Sequence, residues 1–157
     1  MTRQADLAKA YEQSTSSRRA SSDGVVTTPV EVVDFINRSA WQQTRQRFGV
    51  DLDHGRVQLI DPFAGTGIFF ARLLETAPPD KVQGLVNNMF GLEVDPAAAA
   101  IADNNIRQVA QECGATPPDR PLVICADTFA IPNDQDIPAL FDQVHRTGTH
   151  PYQPKGE

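Results

Sequence analysis

The chain has little cysteine, few aromatic residues, no surplus of positive charge and no long apolar run, and each shortage excludes something. Its two cysteines, Cys113 and Cys125, are neither a close pair nor joined to histidines at metal-ligand spacing. They read as buried apolar packing in a reducing, cytoplasmic setting, with no metal called for. No stretch approaches the roughly 18 apolar residues of a membrane span, and nothing at the amino terminus resembles a signal peptide. The 14 Lys and Arg stand against 20 Asp and Glu, a net charge of −6. A protein that grips a phosphate backbone by itself usually has a basic face, so weak or no DNA binding by this chain alone is expected. What remains, 157 residues with 40% hydrophobic content, suffices for one core and one domain.

The most informative stretch is Leu59-Ile60-Asp61-Pro62-Phe63-Ala64-Gly65-Thr66-Gly67, which runs into Ile68-Phe69-Phe70-Ala71-Arg72-Leu73-Leu74. An apolar run closing on an acid, a proline, two glycines one residue apart and then an apolar pattern of helical period reads as strand, tight loop and helix. The glycines permit close backbone approaches that a Cβ would block, and the first N–H groups of the helix point into the same space. A structural turn in an α/β domain is the plainer reading. A dinucleotide fingerprint would want a small residue three positions after the second glycine, where this chain has Phe70.

Asp61-Pro62-Phe63-Ala64-Gly65-Thr66-Gly67 resembles the first cofactor-binding motif of S-adenosylmethionine-dependent methyltransferases, in the form used by adenine-specific DNA methyltransferases of restriction-modification systems. Thr28-Pro29, ahead of Val32-Val33-Asp34-Phe35-Ile36, resembles the Thr-Pro segment that precedes that loop and lies against the methionine end of the cofactor. The resemblance implies an amino-terminal cofactor-binding part with S-adenosyl-L-methionine as cofactor. Its fold would be a Rossmann-like α/β methyltransferase fold, incomplete, with the first three to four strands of a largely parallel sheet and helices on both faces. In the complete enzyme, DNA would present a flipped adenine whose amino group takes the methyl group.

Residues 1–22 are polar, with Leu7, Ala8, Ala10 and Tyr11 the only hint of a short helix, and read as a flexible segment. The domain is expected over 23–144. Thr28, Pro29 and Glu31 fit the cap, first and third positions of a helix, a capping box, and Val32, Val33, Ile36, Ala40, Trp41, Thr44 and Phe48 predict its buried stripe. A strand over 57–61 leads to the loop, a helix follows to Pro78-Pro79, and 80–88 has no evident form. A second strand over 89–94 ends at Glu93-Val94-Asp95, and Asp95 with Pro96 starts a helix buried along Ala98, Ile101, Ala102, Ile106, Val109 and Ala110, to end at Gly114. A third, over 121–126, ends at Asp127-Thr128-Phe129. Carboxylates at parallel strand tips form one rim, and an acid after the second strand is where nucleoside binders hold ribose hydroxyls. The resemblance makes Glu93 the ribose acid with Val94 beside the adenine. It also makes Asp127 the acceptor for the adenine amino group and Phe129 a cover on that ring, with Thr128 between them.

The family's catalytic motif, Asn or Asp followed by Pro-Pro-aromatic after a fourth strand, is not intact. Leu140-Phe141-Asp142-Gln143-Val144 resembles its strand and Thr149-His150-Pro151-Tyr152 its loop, but the spacing is long, and Thr149 and His150 stand where the acceptor and first proline belong. Residues 145–157 are therefore expected to be a polar tail, in which 149–152 is either a degenerate catalytic loop or an unrelated segment ahead of a true loop that lies beyond these residues. Two alternatives stay open. One is a fragment of an RNA guanine-amine methyltransferase. The other is a non-catalytic methyltransferase fold acting through a complementary methylase or specificity polypeptide.

Overall fold

Three short apolar strands make one parallel sheet, and the period-two alternation of their side chains decides what each face receives. The computed structural model describes residues 28–153 together with Asp6 and Ala10. The rest of the expected flexible segment 1–22, the first residues of the expected domain and the last four of the expected tail lie outside the described residues. Strand β1 is Leu59–Asp61, β2 is Met89–Glu93 and β3 is Val123–Cys125, in the order β1-β2-β3 with both pairings parallel. In register, Asp61 lies beside Gly91, and Glu93 beside Cys125.

Five helices accompany these strands among the described residues: α1 Val30–Phe48, α2 Ile68–Thr76, α3 Val82–Asn87, α4 Pro96–Glu112 and α5 Ile137–Thr147. Met89, Val123 and Cys125 point into a core with Phe70, Leu74, Val86 and Ile106 of α2, α3 and α4. Phe90, Leu92 and Ile124 point the other way, onto Leu140, Phe141 and Val144 of α5. Helices therefore cover both faces, as a Rossmann-like α/β arrangement requires. Each large side chain buried there contributes about 1.5–3 kcal/mol. Cys125 is buried and Cys113 packs against the first core, and burial pushes both thiols up, which agrees with a packing role. No described helix is long and apolar enough to cross a membrane.

Several expectations need correcting. The capping box does not form: Pro29, not Thr28, is the cap of α1, with no side-chain cap bond, and the N–H groups of Val32 and Val33 go to the Pro29 carbonyl. The apolar stripe of α1 is only partly used, because Val33 is buried whereas Val32, Ile36 and Phe48 are exposed. Polar contacts dock this helix on α2 instead: Arg72 forks onto both oxygens of Asp34 at 2.9 and 2.7 Å, and the Asn37 side chain donates to the Phe69 carbonyl at 2.9 Å. The unassigned 80–88 stretch holds the 3-10 turn Pro79–Lys81 and α3, whose Val82, Leu85 and Val86 follow helical spacing into the core.

The largest correction concerns residues 140–144, which are helix rather than a fourth strand. Asp136 caps α5 by accepting from the Ala139 N–H at 3.0 Å, Pro138 occupies its first turn, and Gly148 ends it at φ 65°. Leu140, Phe141 and Val144 are then one helical face. The boundary expected at 145 falls inside α5, whose last turn is His145, Arg146 and Thr147.

Candidate functional site

The loop between β1 and α2 is shaped before any ligand arrives, because other elements hold its backbone from several sides. The Ala64 N–H donates to the Leu92 carbonyl at 2.9 Å, and Gly67 closes the turn onto the Ala64 carbonyl at 2.8 Å. Glu93, at the tip of β2, accepts from the Gly65 N–H at 2.8 Å and from the Asp95 N–H at 2.9 Å. Thr128, after β3, donates its hydroxyl to the Pro62 carbonyl at 2.6 Å. Asn105, buried in α4, donates to the Thr66 carbonyl at 3.0 Å.

Asp61 is the electrostatic centre of this arrangement. Its Oδ1 accepts from the Phe63 N–H at 3.1 Å, while Oδ2 is buried and has no hydrogen-bond partner. Burial pushes its carboxyl above the usual aspartate value, the Phe63 N–H opposes this, and the nearby Glu93 charge adds to it. A cavity of about 390 Å³ opens beside it on the free edge of β1, lined by Ile36, Asn37, Ala40, Ile60 and Phe69 as well as Asp61.

The two loop glycines do different work. Gly67 has φ 80°, and a Cβ there would lie 2.9 Å from Ile106 Cδ1 and 3.3 Å from the Ala102 Cα, so it lets α2 close on α4. Gly65 has φ 54°, and a Cβ there would meet nothing within 4 Å. Gly65 thus has open space where a side chain would stand, and the unpartnered Asp61 Oδ2 is left able to accept a hydrogen bond. Thr66 and Ala64, by contrast, are buried in the loop's own support.

Around the same rim Phe63, Val94 and Phe129 remain exposed at 62%, 50% and 87%, an apolar group with no core to join. The Phe63 and Phe129 rings already touch, with centroids 5.6 Å apart. Asp127 accepts from the Phe129 N–H at 3.0 Å and so caps the turn that follows β3. Its second oxygen is not used in that bond. Asp95 caps α4 as expected, accepting from the Ala97 and Ala98 N–H groups.

The structure thus brings Asp61, Pro62, Phe63, Ala64, Gly65, Thr66, Gly67, Glu93, Val94, Asp127, Thr128 and Phe129 to one rim of the sheet. Thr28 is half-buried and Pro29 exposed at the start of α1, and neither hydrogen-bonds to the loop. Thr149, His150, Pro151 and Tyr152 meet this rim only at its β3 end, through Tyr152. The Tyr152 carbonyl accepts from the Asp127 N–H at 2.7 Å, beyond the tip of β3, with β2 between β3 and β1. His150 lines a cavity with Pro96, Val123 and Cys125 on the outer side of β3, and its Nδ1 is buried without a partner.

Asn105 is the supporting residue that sequence reasoning passed over. The signal was present, since Asn105 falls on the stripe of Ala98, Ala102 and Val109, where helical spacing calls for an apolar side chain. Asn105→Ala leaves the Thr66 carbonyl without this donor in a buried setting, so a loss of about 1–3 kcal/mol in urea denaturation is expected.

No protein-family model matches this sequence, and no curated protein matches it. Several solved structures do, three of them as follows. One is a complex of DrdV with DNA, at 26% identity and a TM-score of 0.68, covering 80% of this chain and 13% of that one. The second is a nuclease-deletion mutant of the Type ISP restriction-modification enzyme LlaGI in complex with a DNA substrate mimic, at 26% identity and a TM-score of 0.60, covering 79% of this chain and 12% of that one. The third is the ATP-dependent Type ISP restriction-modification enzyme LlaBIII bound to DNA, at 26% identity and a TM-score of 0.64, covering 95% of this chain and 11% of that one. This chain therefore spans about an eighth of the length of the solved proteins it is similar to, and two of those three are restriction-modification enzymes bound to DNA or a mimic of it.

Proposed function

We propose that this chain is the S-adenosylmethionine-binding portion of a DNA adenine-N6 methyltransferase of the restriction-modification type. The observation that carries the reading is Asp61 Oδ2, a buried carboxylate oxygen with no partner beside a pre-shaped glycine loop. A buried charged oxygen is costly unless a donor meets it, and a ligand ammonium is such a donor. S-adenosylmethionine supplies an electrophilic methyl group on a sulfonium. The chain's own part is to bind and orient. Asp61 accepts from the ammonium, the open face of Gly65 admits the chain of the amino acid, Glu93 accepts from the ribose hydroxyls, and Asp127 accepts from the adenine amine. Phe63, Val94 and Phe129 keep water from the base. The likeness to DNA-bound restriction-modification enzymes supports DNA as the substrate class.

Calorimetric titration with S-adenosylhomocysteine tests the pocket. The parent chain is expected to bind, and Glu93→Gln to bind roughly tenfold more weakly, the loss of one charge-assisted acceptor. Absence of binding by the parent would sink the cofactor assignment. Tritiated methyl transfer to unmethylated DNA and to RNA then separates the adenine from the guanine-amine enzyme.

A second reading, a non-catalytic cofactor domain that works through a complementary methylase or specificity polypeptide, is favoured by one observation. The segment that resembles the catalytic motif lies at the tip of β3 and 140–144 is helical, so 149–152 does not follow a fourth strand. Cofactor binding with no transfer to either nucleic acid is the outcome this reading expects.

A further inference from the structure

We infer that residues 149–152 are a strap that holds the base side of the nucleoside site in place, with Tyr152 as its positioning residue. The inference rests on the cofactor reading above and gives the altered motif a role other than chemistry.

Tyr152 is the one non-glycine residue with positive φ among the described residues, at 63°. That conformation costs roughly 1–2 kcal/mol for a residue bearing a Cβ and persists where the surroundings over-determine it. Three contacts do so here. The ring packs against the core under α5, the hydroxyl donates to Gln135 Oε1 at 3.2 Å, and the carbonyl accepts from the Asp127 N–H at 2.7 Å. Gly148 turns the chain off the end of α5, and Pro151 favours extended backbone at His150, so the strap is stiff along its short length.

The point of attachment matters more than the strain. Asp127 is bonded through its backbone to the strap and through its side chain to the Phe129 N–H, at 3.0 Å. Between them Thr128 reaches across to the Pro62 carbonyl, and the Phe129 ring meets Phe63. One backbone bond from Tyr152 therefore holds Asp127 directly and, through Thr128 and Phe129, bears on Pro62 and Phe63.

The test uses two ligands on the full chain: S-adenosylhomocysteine, and 5′-methylthioadenosine, which has the nucleoside but no amino-acid end. Tyr152→Ala keeps the carbonyl but loses the ring that fixes its position, and is expected to weaken both ligands by the same factor, about tenfold, with Tyr152→Phe restoring both to within about twofold because the ring remains. Asp61→Ala is expected to weaken only the first ligand. Hydrogen exchange at the Asp127 amide, read without ligand, is expected to speed up in Tyr152→Ala and not in Tyr152→Phe. Unchanged binding of 5′-methylthioadenosine by Tyr152→Ala, even with a lower melting temperature, overturns the strap while leaving the cofactor reading intact. Unchanged exchange at Asp127 overturns it as well. A parent chain that binds neither ligand overturns the cofactor reading and the strap's role in it together.

Discussion

Asp61→Ala is expected to lower S-adenosylhomocysteine affinity by about a hundredfold, which is the upper range for one charge-assisted hydrogen bond in a buried setting. The same change should leave the melting temperature level or raise it. The reason is that the carboxylate now holds one oxygen in a desolvated position without a donor, and removing that cost offsets the Phe63 N–H bond lost with the other oxygen. Loss of binding with preserved stability distinguishes a ligand anchor from a structural turn, which would lose stability first.

The pH dependence follows from the same carboxyl. Burial raises its pKa in the folded chain above the 3.8 of an ordinary aspartate. Between those two values the folded chain holds more protons than the unfolded one, so Asp61 makes stability fall as pH climbs through that window and then level off. Affinity runs the other way, because the ammonium needs the ionised form: binding strengthens as pH rises through the folded pKa and is flat above it. Calorimetry in two buffers of different ionisation enthalpy should detect proton release on binding inside the window, and Asp61→Asn should abolish it.

Gly67→Ala should destabilise the fold by about 2–4 kcal/mol in urea denaturation, combining left-handed backbone strain with overpacking. The added methyl group would lie 2.9 Å from Ile106 Cδ1, which can turn, but also 3.3 Å from the Ala102 Cα, which cannot. Gly65→Ala meets no neighbour within 4 Å and should cost only the backbone term, roughly 1–2 kcal/mol, while reducing ligand affinity more than Gly67→Ala does per unit of stability lost. The opposite order would mean that the open side of the loop at Gly65 faces no ligand.

The contrast between these glycines marks a boundary of what can be read from a sequence. Both satisfied the same local requirement, a conformation that a Cβ resists. Which one faces solvent and which one faces α4 depends on a contact with residues far along the chain, Ala102 and Ile106. The 140–144 stretch failed for a different reason. A short apolar run fits a strand or a helix equally, and its neighbours Asp136, Pro138 and Gly148, which are cap and stop signals, outweighed the likeness to a motif. For α1, the apolar stripe was present but the helix docks along α2 through Asp34 and Asn37, leaving Val32 and Ile36 outside.

The amino-acid order alone determined the α/β class, the strand-loop-helix at Asp61, the Asp95 cap and the rim of strand-end carboxylates, because each is written in residues that are neighbours in sequence or repeat at a helical or strand period. Tertiary structure decided the rest: that Glu93, Asn105 and Thr128 grip the loop from 28, 39 and 66 residues away, that Asp61 keeps one oxygen unpartnered, and that Tyr152 ties down Asp127. Those contacts join residues that no local pattern links, and only the packing of helices on both faces of the sheet brings them within hydrogen-bonding distance.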